Sequence, residues 1–193
     1  MAEPETVSHP ELSPPSPAWR PGDARPDVAS MLRVDQAGEY GATRIYAGQL
    51  AALGDGQPAS RLIAKMASQE QRHLKHFDQL LAERGVRPTL LQPLWRVAGH
   101  ALGVTTALIS PSAAMACTAA VEDEIDRHYS EQLDALGTMD PPLAESIRDF
   151  QADEREHRAV AIEAGAENSF GYPLLYSAIR AGCRIAIELS KRI

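Results

Sequence analysis

The chain has 193 residues, 44% of them hydrophobic and 23% charged, with a formal net charge of −7. That length supports one domain with a proper core, and the acidic balance, with no basic stripe to track phosphates, argues against nucleic acid as the main partner. The two cysteines, Cys117 and Cys183, make neither a disulfide framework nor a CxxC metal knuckle, as expected of a chain in a reducing compartment.

Residues 1–26 hold seven of the fourteen prolines and few apolar side chains. Such a segment cannot bury enough surface to offset its ordering entropy, and a disordered Pro-rich N-terminal tail is expected there. Its acidic, proline-rich start is wrong for a secretory signal or an Arg-rich transit peptide. From residue 27 to 193 the texture becomes that of one helical domain. "LGDGQP" (53–58) ends a first helix and starts a second at Pro58. "ERGVRP" (83–88) ends the second, with Gly85 suited to the left-handed cap position. "ISPS" (109–112) supplies Ser110 as N-cap and Pro111 as first helical residue. "LGTMDPP" (136–142) does the same with Gly137, Asp140 and Pro141, and "EAGAENSFGYP" (163–173) separates the last two helices. Six helices are predicted, at 27–52, 58–84, 90–104, 111–136, 141–165 and 172–190. Four of them, at about 1.5 Å per residue, are long enough for a bundle about 35 Å tall. Period-2 alternation is missing, so the fold class is all-α, a four-helix bundle with two additional shorter helices.

Four acidic residues fall on faces that otherwise point inward. Glu39 aligns with Leu32, Tyr46 and Leu50, and Glu122 with Met115, Thr118, Ile125 and Tyr129. The second and fifth helices each carry Glu-x-x-His, as Glu70–His73 in line with Ile63, Met66, Phe77 and Leu81, and Glu154–His157 in line with Ile147, Phe150 and Ala161. Residues three apart share a helix face, so each pair can grip one ion. Glu39 and Glu70 are 31 residues apart with their midpoint in the first turn; Glu122 and Glu154 are 32 apart with theirs in the fourth. Two hairpins therefore bring each lone glutamate level with its Glu-x-x-His partner, and packing them face to face gathers four carboxylates and two imidazoles.

One Glu-x-x-His alone is usually a solvated helix face. Two copies with matched glutamates on apolar faces are not, because four uncompensated carboxylates inside a bundle are prohibitive unless cations neutralise them. Carboxylate and imidazole ligands without thiolate suit iron or manganese, and one Glu from each of two helices plus Glu-x-x-His from each of two others is the ferritin-like dinuclear pattern. Glu70 and Glu154 are candidates to bridge or chelate alongside Glu39 and Glu122. Asp35, one turn before Glu39, is a candidate to support a ligating histidine from outside. His128 is divided between a supporting role and packing, His76 reads as a surface residue, and Cys117 as a small core filler. Tyr40, Tyr46 and Tyr129 read as core or site-lining residues.

"MLRVDQAGEYGATRIYAGQL", "EQRHLKHF", "ACTAAVEDEIDRHY" and "DEREH" together resemble the demethoxyubiquinone hydroxylases of ubiquinone biosynthesis over about residues 28–192. "RVDQAGEYGA" is the most specific stretch; position 36 is glutamine where family members often have histidine. The resemblance implies a ferritin-like di-iron monooxygenase that uses O2 to hydroxylate a polyprenyl-methyl-methoxy-benzoquinol (demethoxyubiquinone). It implies two iron ions per chain on Glu39, Glu70, His73, Glu122, Glu154 and His157, and a supporting or proton-transfer role for His128 and Tyr129. It also implies NADH as candidate reductant, although no Rossmann fingerprint is present, and a lipid-binding accessory protein of the pathway as candidate partner.

A polyprenyl quinone resides in the bilayer. Residues 97–121 carry no Asp, Glu, Lys or Arg, yet Ser110–Pro111 breaks them and Glu122 follows, so a spanning helix is disfavoured. Residues 90–104 and the last helix, with Arg180, Arg184, Glu188 and Arg192 in one polar stripe, read as interfacial elements or as ordinary packing. With the implied substrate, the expectation is peripheral attachment to a bacterial inner membrane from the cytoplasmic side, or to the matrix side of the mitochondrial inner membrane in a eukaryote. The rival readings are another ferritin-like di-metal protein, for iron oxidation, storage or peroxide handling, and a non-catalytic helical lipid-binding protein.

Overall fold

The computed structural model describes residues 27–192 of the chain; the expected tail over 1–26 lies outside them. The helices run α1 Val28–Leu53, α2 Pro58–Glu83, α3 Gln92–Ile109, α4 Pro111–Leu136, α5 Pro141–Glu163 and α6 Tyr172–Arg192, with one 3-10 turn at Ala166–Asn168. No strand occurs among the described residues, so the all-α expectation holds.

The turns form where glycine, proline and capping residues placed them. Asp27 accepts from the Ser30 N–H at 3.0 Å, Ser110 from Ala113 at 3.0 Å and Asp140 from Leu143 at 3.2 Å, each satisfying an otherwise orphaned helix donor. Gly85 (φ 63°) and Gly137 (φ 52°) take the left-handed backbone that closes α2 and α4.

α1 and α2 form one hairpin, α4 and α5 the other, and α1 meets α4 while α2 meets α5, closing a four-helix ring. Along the α2–α5 seam, Lys65 pairs with Glu156, Arg72 with Asp153, His76 with Ser146 and Arg84 with Asp140. This sequence of partners fixes the two helices antiparallel. His76 is thereby half-buried, wedged edge-on against Phe77 and Phe150, not the surface residue expected. Leu32, Phe77, Leu136, Leu143 and Ile147 fill one end of the core; Ile63, Met66, Met115, Ala119 and Ala161 fill the other.

α3 and α6 lie outside the ring against α1 and α4. α3 differs most from its expected span of 90–104. It continues to Ile109 because Gly103 is not a stop: its missing side chain lets the helix ride directly on the α1 backbone. A Cβ on Gly103 would land on the Ile45 carbonyl oxygen, one on Gly48 would land on that of His100, and one on Gly99 would stand 3.0 Å from the Gly41 carbonyl. The helix ends only at Ser110, which is extended (φ −173°) and caps α4.

α6 packs on the bundle, one of the two readings its sequence left open: Arg180 and Arg184 reach α4, where the fully buried Glu124 accepts from Arg180 at 3.0 Å, from Arg184 at 3.2 Å and from Arg127. Leu174, Ile185 and Leu189 face outward instead. At its far end α6 is tied to α1, since the Lys191 carbonyl accepts from Ser30 and Arg33. The N-terminal half of α4 is buried over residues 113–122, which accounts for its alanine-rich sequence: Ala113, Ala114, Ala116, Ala119 and Ala120 are all buried.

Gly103→Ala is expected to destabilise the fold by about 2–3 kcal/mol, the scale of overpacking a tight contact. Gly38→Ala, where a Cβ meets nothing within 4 Å, should stabilise by about 0.5–1 kcal/mol through helix propensity alone. Urea unfolding of the two variants checks the contrast.

Candidate metal centre

All six residues singled out from the sequence converge at mid-height of the ring. Glu39 comes from α1, Glu70 and His73 from α2, Glu122 from α4, Glu154 and His157 from α5, and each is at most 1% exposed. Their ligand atoms form two overlapping groups, Glu39–Glu70–His73–Glu154 and Glu70–Glu122–Glu154–His157, each within 4.8 Å. Glu70 and Glu154 belong to both groups, which is where bridging carboxylates would stand.

The imidazoles present Nδ1 to the acids. His73 Nδ1 lies 3.1 Å from Glu154 and 3.5 Å from Glu39; His157 Nδ1 lies 3.1 Å from Glu70 and 3.2 Å from Glu154. Each Nε2 points outward to a fixed partner on the opposite hairpin. His73 Nε2 meets Asp153 Oδ2 at 2.9 Å and His157 Nε2 meets Gln69 Oε1 at 3.2 Å. Phe150 stacks on the His73 ring at 4.1 Å between centroids.

Two tyrosines complete the pattern. The Tyr46 hydroxyl donates to Glu122 at 2.5 Å, and Tyr129 donates to Glu39. Each tyrosine follows the lone glutamate of its own helix by seven residues and serves that of the other. Three residues further on, Gln49 donates to Thr118 and the Ala114 carbonyl, and Gln132 donates to Asp35 at 2.7 Å. The repeat Glu-x6-Tyr-x2-Gln, at 39–49 and again at 122–132, is the sequence signal for these partners. Asp153 and Gln69 were missed too, though each stands just before the glutamate of a Glu-x-x-His. Asp35, expected to support a histidine ligand, instead takes the Gln132 amide, with His128 at 3.6 Å. His128 therefore sits behind Asp35 and touches none of the six.

The electrostatics show what the site demands. Burial first, then the neighbouring Glu154 charge, pushes the Glu70 carboxyl well above the usual range; burial and Glu154 do the same to Glu122, and burial raises Glu154 itself. Burial pulls His73 down, but the Glu154 and Glu39 carboxylates more than offset it and lift the imidazole to about 10. Burial lowers His157. Tyr46 and Tyr129 are held protonated by burial and by the acids they serve. Even so, Glu39 Oε2, both Glu70 oxygens, Glu122 Oε2, Glu154 Oε1 and His73 Nδ1 are buried without a hydrogen-bond partner. Orphaned acceptors of this kind each cost about 1–3 kcal/mol. A pair of divalent cations would satisfy them, and the oxygen and imidazole donors fit iron or manganese.

Beside the cluster, between α1, α3, α4 and α6, lies an apolar groove of about 490 Å³. Its wall includes Ala42, Val121 and Ile125, each within one turn of Glu39 or Glu122, and Ala178, Ile179 and Cys183 of α6.

The family model for ubiquinone biosynthesis protein COQ7 matches residues 26–190. The chain belongs to the COQ7 family. Among its relatives, the 3-demethoxyubiquinol 3-hydroxylase of Rhodospirillum rubrum is 49% identical over 175 residues, covering 90% of this chain and 82% of that protein. The human NADPH-dependent 3-demethoxyubiquinone 3-hydroxylase, mitochondrial, is 47% identical over 174 residues, covering 88% and 80%. The mitochondrial 5-demethoxyubiquinone hydroxylase of Saccharomyces cerevisiae is 41% identical over 179 residues, covering 84% and 77%. COQ7 membership agrees with the family resemblance carried by "RVDQAGEYGA" and the two Glu-x-x-His pairs.

The pH dependence of the metal-free protein follows from these shifts. For Glu70, Glu122 and Glu154 the folded state holds protons above 4.5 that the unfolded chain releases. Their stabilisation is complete below that value and fades as pH rises. His73 adds a loss between 6.5 and about 10; His157, lowered, opposes in part below 6.5. Thermal melts of chelated protein should therefore show falling stability from pH 5 to pH 8, and saturating Mn(II) should flatten or reverse that slope.

Proposed function

We propose that the chain hydroxylates a demethoxyubiquinol-type ring, using O2 and two iron ions held by Glu39, Glu70, His73, Glu122, Glu154 and His157. The observation that carries this reading is a buried cluster of four carboxylates and two imidazoles, with orphaned acceptors, abutting an apolar groove. Its family membership and the names of its relatives point the same way.

When bound, a reduced iron pair supplies the chemistry that activates O2 for insertion into an electron-rich ring. The chain's own residues do the rest. Four carboxylates match the charge of two divalent ions, so the loaded centre is close to neutral inside a low-dielectric core. Tyr46 and Tyr129 hold Glu122 and Glu39 by donated hydrogen bonds, which fixes the carboxylate orientation while cations bind. The apolar groove takes the polyprenylated ring and keeps water from the centre. Its lining is mostly aliphatic and small, with glycines at 38, 41, 99 and 182 and one large aromatic, Trp95, a fit for a flat ring and an isoprenoid chain. The NADPH named for the human relative supports a reduced nicotinamide nucleotide, NADH or NADPH, as electron source.

No helix among the described residues is long and apolar enough to cross a membrane. Leu90, Leu94, Val97, Leu108, Phe170, Leu174 and Ile185 are nonetheless exposed around α3 and α6, the two helices that frame the groove. An apolar rim at a groove mouth suits docking on a bilayer surface from which a quinone is drawn. In this reading the protein works at the cytoplasmic face of a bacterial inner membrane, or at the matrix face of the mitochondrial inner membrane. A lipid-binding accessory protein would use the same rim.

Glu39→Ala and Glu122→Ala are each expected to reduce quinol hydroxylation to background and lower anaerobic Fe(II) binding below two per chain, with far-UV circular dichroism unchanged. Full activity in either variant would overturn the assignment. Ala178→Trp, which fills the groove away from the acids, should raise KM or abolish turnover while iron stoichiometry stays at two.

A further inference from the structure

The six-residue cluster is close to two-fold symmetric. Glu39 and Glu122 each receive a tyrosine hydroxyl, Glu70 and Glu154 are shared, and both histidines present Nδ1 inward. The symmetry breaks immediately behind the imidazoles. With Nδ1 turned to the acids, each Nε2–H donates outward: His73 to the Asp153 carboxylate at 2.9 Å, His157 to the Gln69 amide oxygen at 3.2 Å. The two supporting residues occupy equivalent positions, each just before the glutamate of the opposite Glu-x-x-His.

A carboxylate behind an imidazole makes its inner nitrogen a stronger donor than an amide does, and such partners change metal affinity about 10–100-fold. Arg72 also donates to Asp153, at 2.5 Å, but from a largely exposed side chain that water screens. We infer that Asp153 and Gln69 make the two metal positions unequal, so that the His73 position fills first and holds its ion more tightly than the His157 position. The inference rests on the dinuclear reading above and goes beyond it by ranking the two positions and naming the residues that set the rank. Asp153 and Gln69 are positioning residues, acting through the histidines.

The test is anaerobic titration of metal-stripped full-length protein with Co(II), read by calorimetry and visible absorption. In parallel, histidine-15N NMR spectra are followed at each addition. Wild type should take up two ions in two steps about tenfold or more apart, with the His73 resonance lost before that of His157. The isosteric Asp153→Asn keeps an acceptor and removes the charge; it should weaken the first step about 10–100-fold and leave the second in place. Gln69→Glu, the reciprocal change on the other hairpin, should tighten the second step and close the gap from the opposite side. It decides the matter independently should Asp153→Asn fail to fold. Two ions bound with steps that neither substitution moves, or loss of His157 first, would overturn the ranking while leaving the dinuclear site intact. Uptake of fewer than two ions by wild type would overturn the dinuclear reading itself.

Discussion

Four carboxylates share the centre of this bundle at separations where like charges repel strongly and water cannot screen them. Every other feature of the fold is arranged around that constraint. The two apolar clusters above and below the acids supply the burial that holds the four helices together despite it. Two tyrosines, placed crosswise between the hairpins, donate to the acids from residues that themselves stay protonated. Burial pushes the Glu70, Glu122 and Glu154 carboxyls up, toward the protonated form, which eases that repulsion.

The crosswise wiring also has a folding consequence. Tyr46 of the first hairpin serves Glu122 of the second, and Tyr129 of the second serves Glu39 of the first; Asp153 and Gln69 repeat the exchange for the histidines. Neither hairpin completes its own half of the centre. Assembly of the site therefore reports on docking of the hairpins, and the same hydrogen bonds that orient the ligands specify register between α1 and α4 and between α2 and α5.

Much of this was legible in the amino-acid order. Pro58, Pro111 and Pro141, with Ser110 and Asp140 before the last two, mark helix starts by backbone chemistry that tertiary packing had no reason to override. The six acids and imidazoles stood out because each interrupts an apolar stripe. What escaped was whatever depended on a partner across the fold. Arg180 and Arg184 left packing and interfacial placement equally open because Glu124, on a different helix, gave no hint that it was buried to receive them. Asp35 looked like support for a histidine because its true partner, Gln132, is 97 residues away. The length of α3 beyond residue 104 escaped as well, because sequence does not distinguish a glycine that bends a chain from one, such as Gly103, that admits another helix.

That last glycine has a mechanical implication. On the α1–α3 side, the two backbones approach closely at Gly48, Gly99 and Gly103, with the Arg44 and Ile45 side chains beside Gly99. On the α6 side, the boundary is made of side chains: Leu175, Tyr176 and Ile179 pack against the core, Arg180 and Arg184 reach Glu124, and Ser30 and Arg33 bond the Lys191 carbonyl. One wall of the groove is thus set mainly by backbone approach and the other by side-chain contacts, so a changed side chain reshapes the groove chiefly from the α6 side.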